Sequence, residues 1–298
     1  MNLKNLNVVF AGCARDCATF LPSTLKNIKF YSSFFKESYT VIVENGSKDK
    51  TKKILEDNKK QNDFFLFCDN LNALSYRGQR LEKARNKIID TIKDEVKLSN
   101  CDILIILDLD DIGAYRVKEN DLKNAVTYLF SEDKTAAVFA NQLGFYYDLW
   151  TLRDDKDFKN DFWVEVLQNI MICKNSSENI TDQHLEDVKN NYIKKKLLSF
   201  NRSSEPIKVN SAFGGFGIYK MPFVLKNKRK YEGQQYARIV TKDQKKIIIK
   251  YQKCEHVSFN QGLVDQNLNL YILPSLINGN FKNINFPPLA ALNFILKE

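Results

Sequence analysis

Asp102-Ile103-Leu104-Ile105-Ile106-Leu107 runs directly into Asp108-Leu109-Asp110-Asp111, and this stretch decides the fold. An unbroken apolar run without polar alternation reads as a strand buried on both faces, the mark of a parallel sheet covered by helices. The same unit recurs upstream. Leu6-Asn7-Val8-Val9-Phe10-Ala11-Gly12 is a short apolar run, followed by Leu21, Leu25 and Ile28 at helical spacing, with Pro22 tolerated in a first turn. Tyr39-Thr40-Val41-Ile42-Val43-Glu44 is a second strand, stopped by Asn45-Gly46-Ser47, and Asp49 opens a Lys-rich helix. Phe64-Phe65-Leu66-Phe67 reads as a third strand, and Leu81, Ala84, Ile88 and Ile92 mark one face of a helix over 77–97. Repeated β-α units predict an α/β fold with a Rossmann-like, mostly parallel central sheet flanked by helices.

The second half is less regular. Residues 155–209 are densely charged, with a helix over 180–198, and read as a charged helical insertion or lid. Phe213-Gly214-Gly215-Phe216-Gly217 forms a glycine cluster, and the basic stretch from Lys226 to Lys250 ends in the strand-like Ile247-Ile248-Ile249. No Pro/Gly/Ser linker divides the chain, which predicts a single domain over 1–298. Of 298 residues, 44% are apolar, which excludes a disordered chain, and 45 Lys+Arg against 36 Asp+Glu give a net charge of +9. That charge suits nucleic acid, an anionic membrane surface or a phosphate-bearing ligand. A mean hydropathy of −0.39, with no apolar run near ~18 residues, predicts no spanning helix. No signal peptide is visible in MNLKNLNVVFAG, so a cytoplasmic protein is expected. The six cysteines contain no CxxC pair and read as buried free thiols.

In an open parallel sheet, ligands bind at the carboxyl ends of the strands. Three carboxylates within Asp108–Asp111 repel one another unless a cation offsets them. A hard divalent cation would do so and keep positions open for phosphates, while a solvated acidic turn is the plainer alternative. Asn45–Thr51 suits a turn and helix cap, yet Glu44 and Asp49 are also placed to accept hydrogen bonds from a base or ribose. Arg77, Arg80 and Arg85, with Asn86, form either a solvated basic face or a diphosphate clamp, because Arg meets phosphate oxygens bidentately. Gly214-Gly215 reads as a positive-φ turn or as a close backbone approach to a sugar, with Phe213, Phe216 and Trp150 offering apolar faces. Trp150 suits the core equally. His256 and His184 are the two histidines, and a lone histidine is more often structural than a ligand.

In this order the motifs resemble nucleotide-sugar glycosyltransferases of the GT-A fold. Val41–Thr51 is similar to their second-strand signature, and Gly78, Ala84-Arg85-Asn86 and Leu107–Asp111 to their glycine, Ala-Arg-Asn and Asp-x-Asp-Asp elements. Tyr147-Asp148-Leu149-Trp150-Thr151-Leu152-Arg153-Asp154 resembles a segment of capsule-type mannosyltransferases, as do Ser211–Tyr219 and Cys254–Val257. The resemblance implies a nucleotide-binding half (1–111), an acceptor half (112–298) and a Mn²⁺ or Mg²⁺ cofactor. It also implies a nucleoside-diphosphate sugar as donor and a glycan or lipid-linked hydroxyl acceptor. Ala11, Arg15, Glu44, Asn45, Asp49, Arg80, Arg85, Asn86 and Asp108 would then hold the donor, and Asp110 and His256 the metal. Trp150, Arg153, Gly214, Gly215 and Phe216 would bind substrate, with Glu255 or Asp154 as general base. No nucleic-acid partner is expected. For a lipid-linked acceptor, the basic stretch and the apolar tail Phe286–Leu296 predict peripheral contact with the inner membrane surface. The rival is a non-catalytic, basic nucleic-acid or anionic-surface binding protein, which leaves the Asp cluster without a purpose.

Overall fold

The computed structural model describes residues 1–59, 63–176, 180–240 and 246–282. The tail Phe286–Leu296, together with Lys242 and Lys245 of the basic stretch, lies outside the described residues. The first half folds as its periodicity predicts. Strands β1 (Asn7–Ala14), β2 (Glu37–Glu44), β3 (Phe64–Cys68) and β4 (Ile103–Leu107) pair in parallel, with β1 between β2 and β4. Helices α1 (Leu21–Ser32), α2 (Thr51–Asn58) and α3 (Arg77–Asp94) connect them. The helix expected over 77–97 breaks at Glu95, which takes an extended backbone, and a short α4 (Val96–Ser99) follows.

The apolar strands are continuous because both faces are covered. Val9, Ala11, Val41, Val43, Leu104 and Ile106 pack with Ala84, Ile88 and Ile92 of α3. The alternate residues Val8, Phe10, Ile42, Ile103, Ile105 and Leu107 pack with Leu21, Ile28 and Tyr31 of α1. After α5 (Asp111–Ala114), α6 (Glu119–Ser131) joins the second cluster through Leu122, Val126 and Leu129.

The sheet then grows past β4 with β5 (Thr135–Gly144), the three-residue β6 (Ile207–Val209) and β7 (Phe216–Lys220). A separate antiparallel hairpin of β8 (Gln234–Val240) and β9 (Lys246–Gln252) precedes β10 (Asn269–Phe281). The eight-stranded order is β3-β2-β1-β4-β7-β5-β10-β6. Only β6 and β7 run against the others, so the sheet is mostly parallel, as expected. The charged region 155–209 is not a free-standing lid. Its helices α7 (Phe162–Ser176) and α8 (Asp182–Lys196) bury Phe162, Val166, Ile170, Leu185 and Ile193 in the apolar cluster that also covers the sheet. Two more helices, α9 (Met221–Lys226) and α10 (Glu255–Val264), flank the hairpin in sequence. None of the cysteines forms a disulfide; Cys17, Cys101 and Cys254 are buried, Cys13 and Cys173 half-buried and Cys68 exposed, which corrects the expectation that all are buried.

Candidate active site

A cleft of about 210 Å³ opens at the carboxyl ends of β1, β2 and β4. Arg15, Asn45, Arg80, Arg85, Asp108 and Asp110, all expected at the site, line it together with Arg77, Cys13 and Cys17. A larger cavity of about 370 Å³ lies beside α1 at the opposite ends of β2 and β3, where Lys26, Lys29 and Asp63 are the charged residues among the described ones lining it. Opposed clusters of charge occur in the first cleft, so the chemistry is placed there.

Two strand-end loops build one wall. Asp16 takes a left-handed backbone (φ 47°), its N–H donates to Ser47 Oγ (3.0 Å), and its carboxylate accepts from the Lys48 N–H (2.7 Å). Asp49 accepts from the N–H groups of Ala18 and Thr51 (both 2.9 Å), and Glu44 from the Ser47 N–H (2.6 Å). The carboxylates of Glu44 and Asp49 are thus engaged in shaping the loops. That leaves Asn45, which is buried on the cleft and whose Oδ1 has no hydrogen-bond partner.

The opposite wall is charged. Asp108 Oδ1 lies 3.4 Å from Arg85 Nη2, and the Tyr147 hydroxyl donates toward Asp108 Oδ2 at 3.5 Å. Burial raises the Asp108 carboxyl above its ordinary range, although Arg85 and Arg77 pull the other way. Burial, then the charges of Asp108 and Asp111, push the Asp110 carboxyl up to about 7. Asp110 also caps α5 through the Ile112 N–H. Arg80 is fixed by donation to the Leu74 and Ser75 carbonyls (2.7 and 3.1 Å), and burial followed by the positive charges of Arg15 and Arg77 lowers its pKa. Arg85 is buried between the rings of Phe213 and Tyr231 and bonds Glu255 at 2.7 Å. Arg15 Nη1 and Arg85 Nη1 are buried without a hydrogen-bond partner.

Glycines close the site from the second half. Gly214 and Gly215 both take positive φ (63° and 76°), and the Gly215 carbonyl accepts from the Asp108 N–H at 3.0 Å. A side chain on Gly215 would come within 2.4 Å of Ile112 Cγ2 and 2.9 Å of the Tyr147 hydroxyl. Asp148 holds this turn by accepting from the Gly214 N–H (3.0 Å) and from Thr151 Oγ1 (2.8 Å). Thr151 Oγ1 also meets Cys254 Sγ at 3.0 Å, next to Glu255. A chain of polar contacts therefore leaves Asp108 through the Gly214-Gly215 turn, passes Asp148, Thr151 and Cys254, and returns through Glu255 and Arg85.

Several expected site residues have other surroundings. Glu255 and His256 open helix α10 instead of ending a strand, so both reach the Arg85 side of the site from one helical turn. His256 is only 2% exposed, stacks on Phe213 (3.9 Å between ring centroids), and has no hydrogen-bond partner at either ring nitrogen. Burial, then the charges of Arg85 and Arg77, hold its pKa well below the ordinary value. Among the described residues, no three His, Cys, Asp or Glu side chains converge as a metal-ligand group. The acid pair Asp108–Asp110 suits a hard divalent cation that keeps water and phosphate oxygens as its other ligands, whereas His256 does not complete such a set here.

Asp154 accepts from the N–H groups of Lys156, Asp157 and Phe158 and organises its own turn. Trp150 Nε1 and Arg153 both bond Asp161, which precedes α7 and accepts from its Trp163 and Val164 N–H groups, so they tie the Tyr147–Asp154 loop to that helix. Ala11 lies inside β1 among core residues, and Phe216 packs edge-on against Tyr31 in the core. Asn86 exchanges both its amide groups with the Tyr231 backbone. Each of these three is a packing or scaffold residue. His184 lies in the first turn of α8, with its N–H on the Thr181 cap.

Arg77, read from the sequence with Arg80 and Arg85 as a solvated basic face or a diphosphate clamp, lines the cleft, whereas Tyr147 and Asp148 were given no role at the site. Tyr147 and Asp148 give no signal alone, since their meaning comes from contacts with Asp108 and Gly214. The Cys13 and Cys17 thiols are pushed up by burial to about 12 and about 11, which keeps them protonated and poor nucleophiles.

No family model and no curated protein matches the chain. Among solved structures, it is similar to the mannosyltransferase PcManGT from Pyrobaculum calidifontis in complex with GDP-Man and Mn²⁺ (TM-score 0.47, 10% identity, 97% of this chain and 59% of that one). It is also similar to S. aureus TarS 1-349 in complex with UDP-GlcNAc (TM-score 0.47, 11% identity, 96% and 61%). A third is glucosyl-3-phosphoglycerate synthase from Mycobacterium tuberculosis in complex with UDP (TM-score 0.42, 11% identity, 96% and 75%). The chain thus spans about three fifths of the length of the first two.

Proposed function

We propose that the chain is a GT-A glycosyltransferase that moves a sugar from a nucleoside diphosphate to a hydroxyl acceptor, acting as one domain in glycan or surface-polysaccharide synthesis. The observation that supports it best is the cleft itself. Buried donors on Arg15 and Arg85 and a buried acceptor on Asn45 lack partners there, beside two carboxylates that repel each other. Unpaired buried polar groups cost about 1–3 kcal/mol each, so they are kept where a ligand pairs them. Such a ligand needs anionic oxygens for the arginines and donors for Asn45, and it must bring a cation to the acids. A nucleoside diphosphate with Mn²⁺ or Mg²⁺ meets all three requirements.

In this reading Asn45 and the two cross-linked loops hold the nucleoside, and Arg15, Arg77 and Arg80 face the diphosphate. Asp110, with Asp108, holds the metal, which when bound supplies a Lewis acid for the departing diphosphate. Arg85 orients Asp108 and Glu255 together. Glu255 is favoured over Asp154 for the acceptor proton, because the Asp154 carboxylate is engaged by three N–H groups of its own turn. The acceptor is a glycan or a lipid-linked sugar. Among the described residues, no helix is long and apolar enough to cross a membrane.

The test is thermal stability with UDP, GDP and their sugars, with Mn²⁺ or with EDTA. One nucleoside diphosphate should raise the melting temperature strongly with Mn²⁺ and weakly without it. Asp110→Ala should keep the fold and lose the metal-dependent part. If no nucleoside diphosphate shifts the transition with Mn²⁺ present, the reading fails.

A further inference from the structure

The positive charge of the chain is concentrated in one place. From Lys226 to Lys253 there are ten Lys and Arg and two acids, a net +8 against +9 for the whole protein. Part of this is offset from elsewhere: Arg229 pairs with Asp265 at 2.6 Å and Lys230 with Asp90 at 3.5 Å. The hairpin segment itself, 234–252, carries Arg238, Lys242, Lys245, Lys246 and Lys250 against Asp243 alone.

Apolar residues share that segment in a specific register. Tyr236 stands opposite Lys250, Arg238 opposite Ile248, and Val240 opposite Lys246. Tyr236, Lys250 and Ile248 therefore share one face, a cation between two apolar residues, since directly opposed and alternate strand residues point the same way. Tyr236 is 62% exposed and Ile248 68%, and the Lys250 ammonium lies 5.8 Å from the Tyr236 ring centroid. A surface that only repelled its own kind would not expose Ile248. A nucleic acid would use the cations and the tyrosine but gain little from the isoleucine. A bilayer interface uses all of them, with phosphates for the lysines and the acyl boundary for the apolar side chains.

The hairpin is also coupled to the cleft. A side chain on Gly233 would lie 2.0 Å from the Gly78 carbonyl, so the two backbones touch. The Gly78 N–H donates to Gln252 (3.0 Å) and the Gly233 N–H to Glu82 (2.9 Å). Both contacts fall on the first turns of α3, the helix that carries Arg77, Arg80 and Arg85.

We propose that the exposed face of the β8–β9 hairpin docks the protein on an anionic lipid bilayer, with Tyr236 and Ile248 entering the interface and the lysines on headgroup phosphates. Bilayer binding stands by itself. Its consequence, that the cleft works on an acceptor held at the membrane, rests on the glycosyltransferase reading.

Flotation with phosphatidylcholine vesicles, with and without one third phosphatidylglycerol, tests it. The full chain should float only with the anionic vesicles, and in about 0.1 M but not about 1 M NaCl, where the Debye length falls from roughly 10 to 3 Å. Lys246→Glu with Lys250→Glu should weaken partitioning about tenfold or more. Tyr236→Ser with Ile248→Ser should also weaken it, and both pairs should keep the wild-type thermal shift with nucleoside diphosphate and Mn²⁺. Absence of flotation by the wild type overturns the proposal, as does flotation that neither pair changes. Binding to single-stranded RNA in place of vesicles, lost on the same substitutions, reassigns the face to nucleic acid. Flotation needs no turnover, so failure of the glycosyltransferase reading would show separately, in the nucleotide shift.

Discussion

At the scale of single residues, His256 carries the sharpest contradiction. It is a polar ring in an apolar stack, neutral, with both nitrogens unpaired. His256→Phe should therefore leave stability in urea unchanged or raise it by about 1 kcal/mol, since the stack on Phe213 survives and the unpaired atoms go. If the ring is kept for the reaction, transfer should fall steeply while nucleotide affinity measured without metal stays within about twofold. Full transfer by this variant would make His256 a core residue only. Much of the site was legible at this scale, because Arg15, Asn45, Asp108 and Asp110 follow the last residues of their strands. Phe216 stands at the open end, opposite Leu107, but its ring turns into the core against Tyr31, whereas Ala11 was misplaced for the same reason in reverse. A run of apolar letters shows that a strand exists, but not which of its residues lies at the open end.

At the scale of elements, the Gly214-Gly215 turn is what brings the second half of the chain to the end of β4. Gly215→Ala puts a methyl group against Ile112 and Tyr147 in a backbone that L-residues rarely adopt. We expect it to cost about 1–3 kcal/mol in urea unfolding. Because the Gly215 carbonyl receives the Asp108 N–H, it should also weaken nucleoside-diphosphate binding more than Gly217→Ala, measured by calorimetry. Equal losses from both would show that the turn only fills space. The glycines were readable as a positive-φ turn, but their neighbours were not. Strands β1 to β4 announce themselves through local alternation of strand and helix. By contrast β10 contains Pro274, shifts register between Ile272 and Ile277, and pairs with β5 from more than a hundred residues away. Helix α7 carried a signal, Phe162, Val166 and Ile170 at helical spacing, but the dense charge on either side of it led the region to be read as an insertion or lid.

At the scale of the whole molecule, the network around Asp108 makes stability depend on pH, and Asp148 isolates one part of that dependence. Burial pushes its carboxyl up to about 6, against the hydrogen bonds from Gly214 and Thr151. A folded-state pKa above the unfolded value of roughly 4 means that the folded protein holds the proton more tightly. The associated stability is fully present below about pH 4 and is lost as pH rises through about 6. Asp148→Asn has no such proton to lose. Its own cost is the weakened hold on the Gly214 N–H, which is the same at every pH. In EDTA, the stability of the variant relative to wild type should therefore improve between about pH 4 and pH 6, with a slope of up to about 1.4 kcal/mol per unit, and then level off. Asp110, pushed to about 7, adds a loss of the same sign up to higher pH, but it is present in both proteins and cancels in the difference. Melting temperatures at four pH values measure it. A difference that stays flat from pH 4 to pH 7 would mean that Asp148 ionises as freely in the folded chain as in the unfolded one. The turn would then be held without the strain that burial imposes.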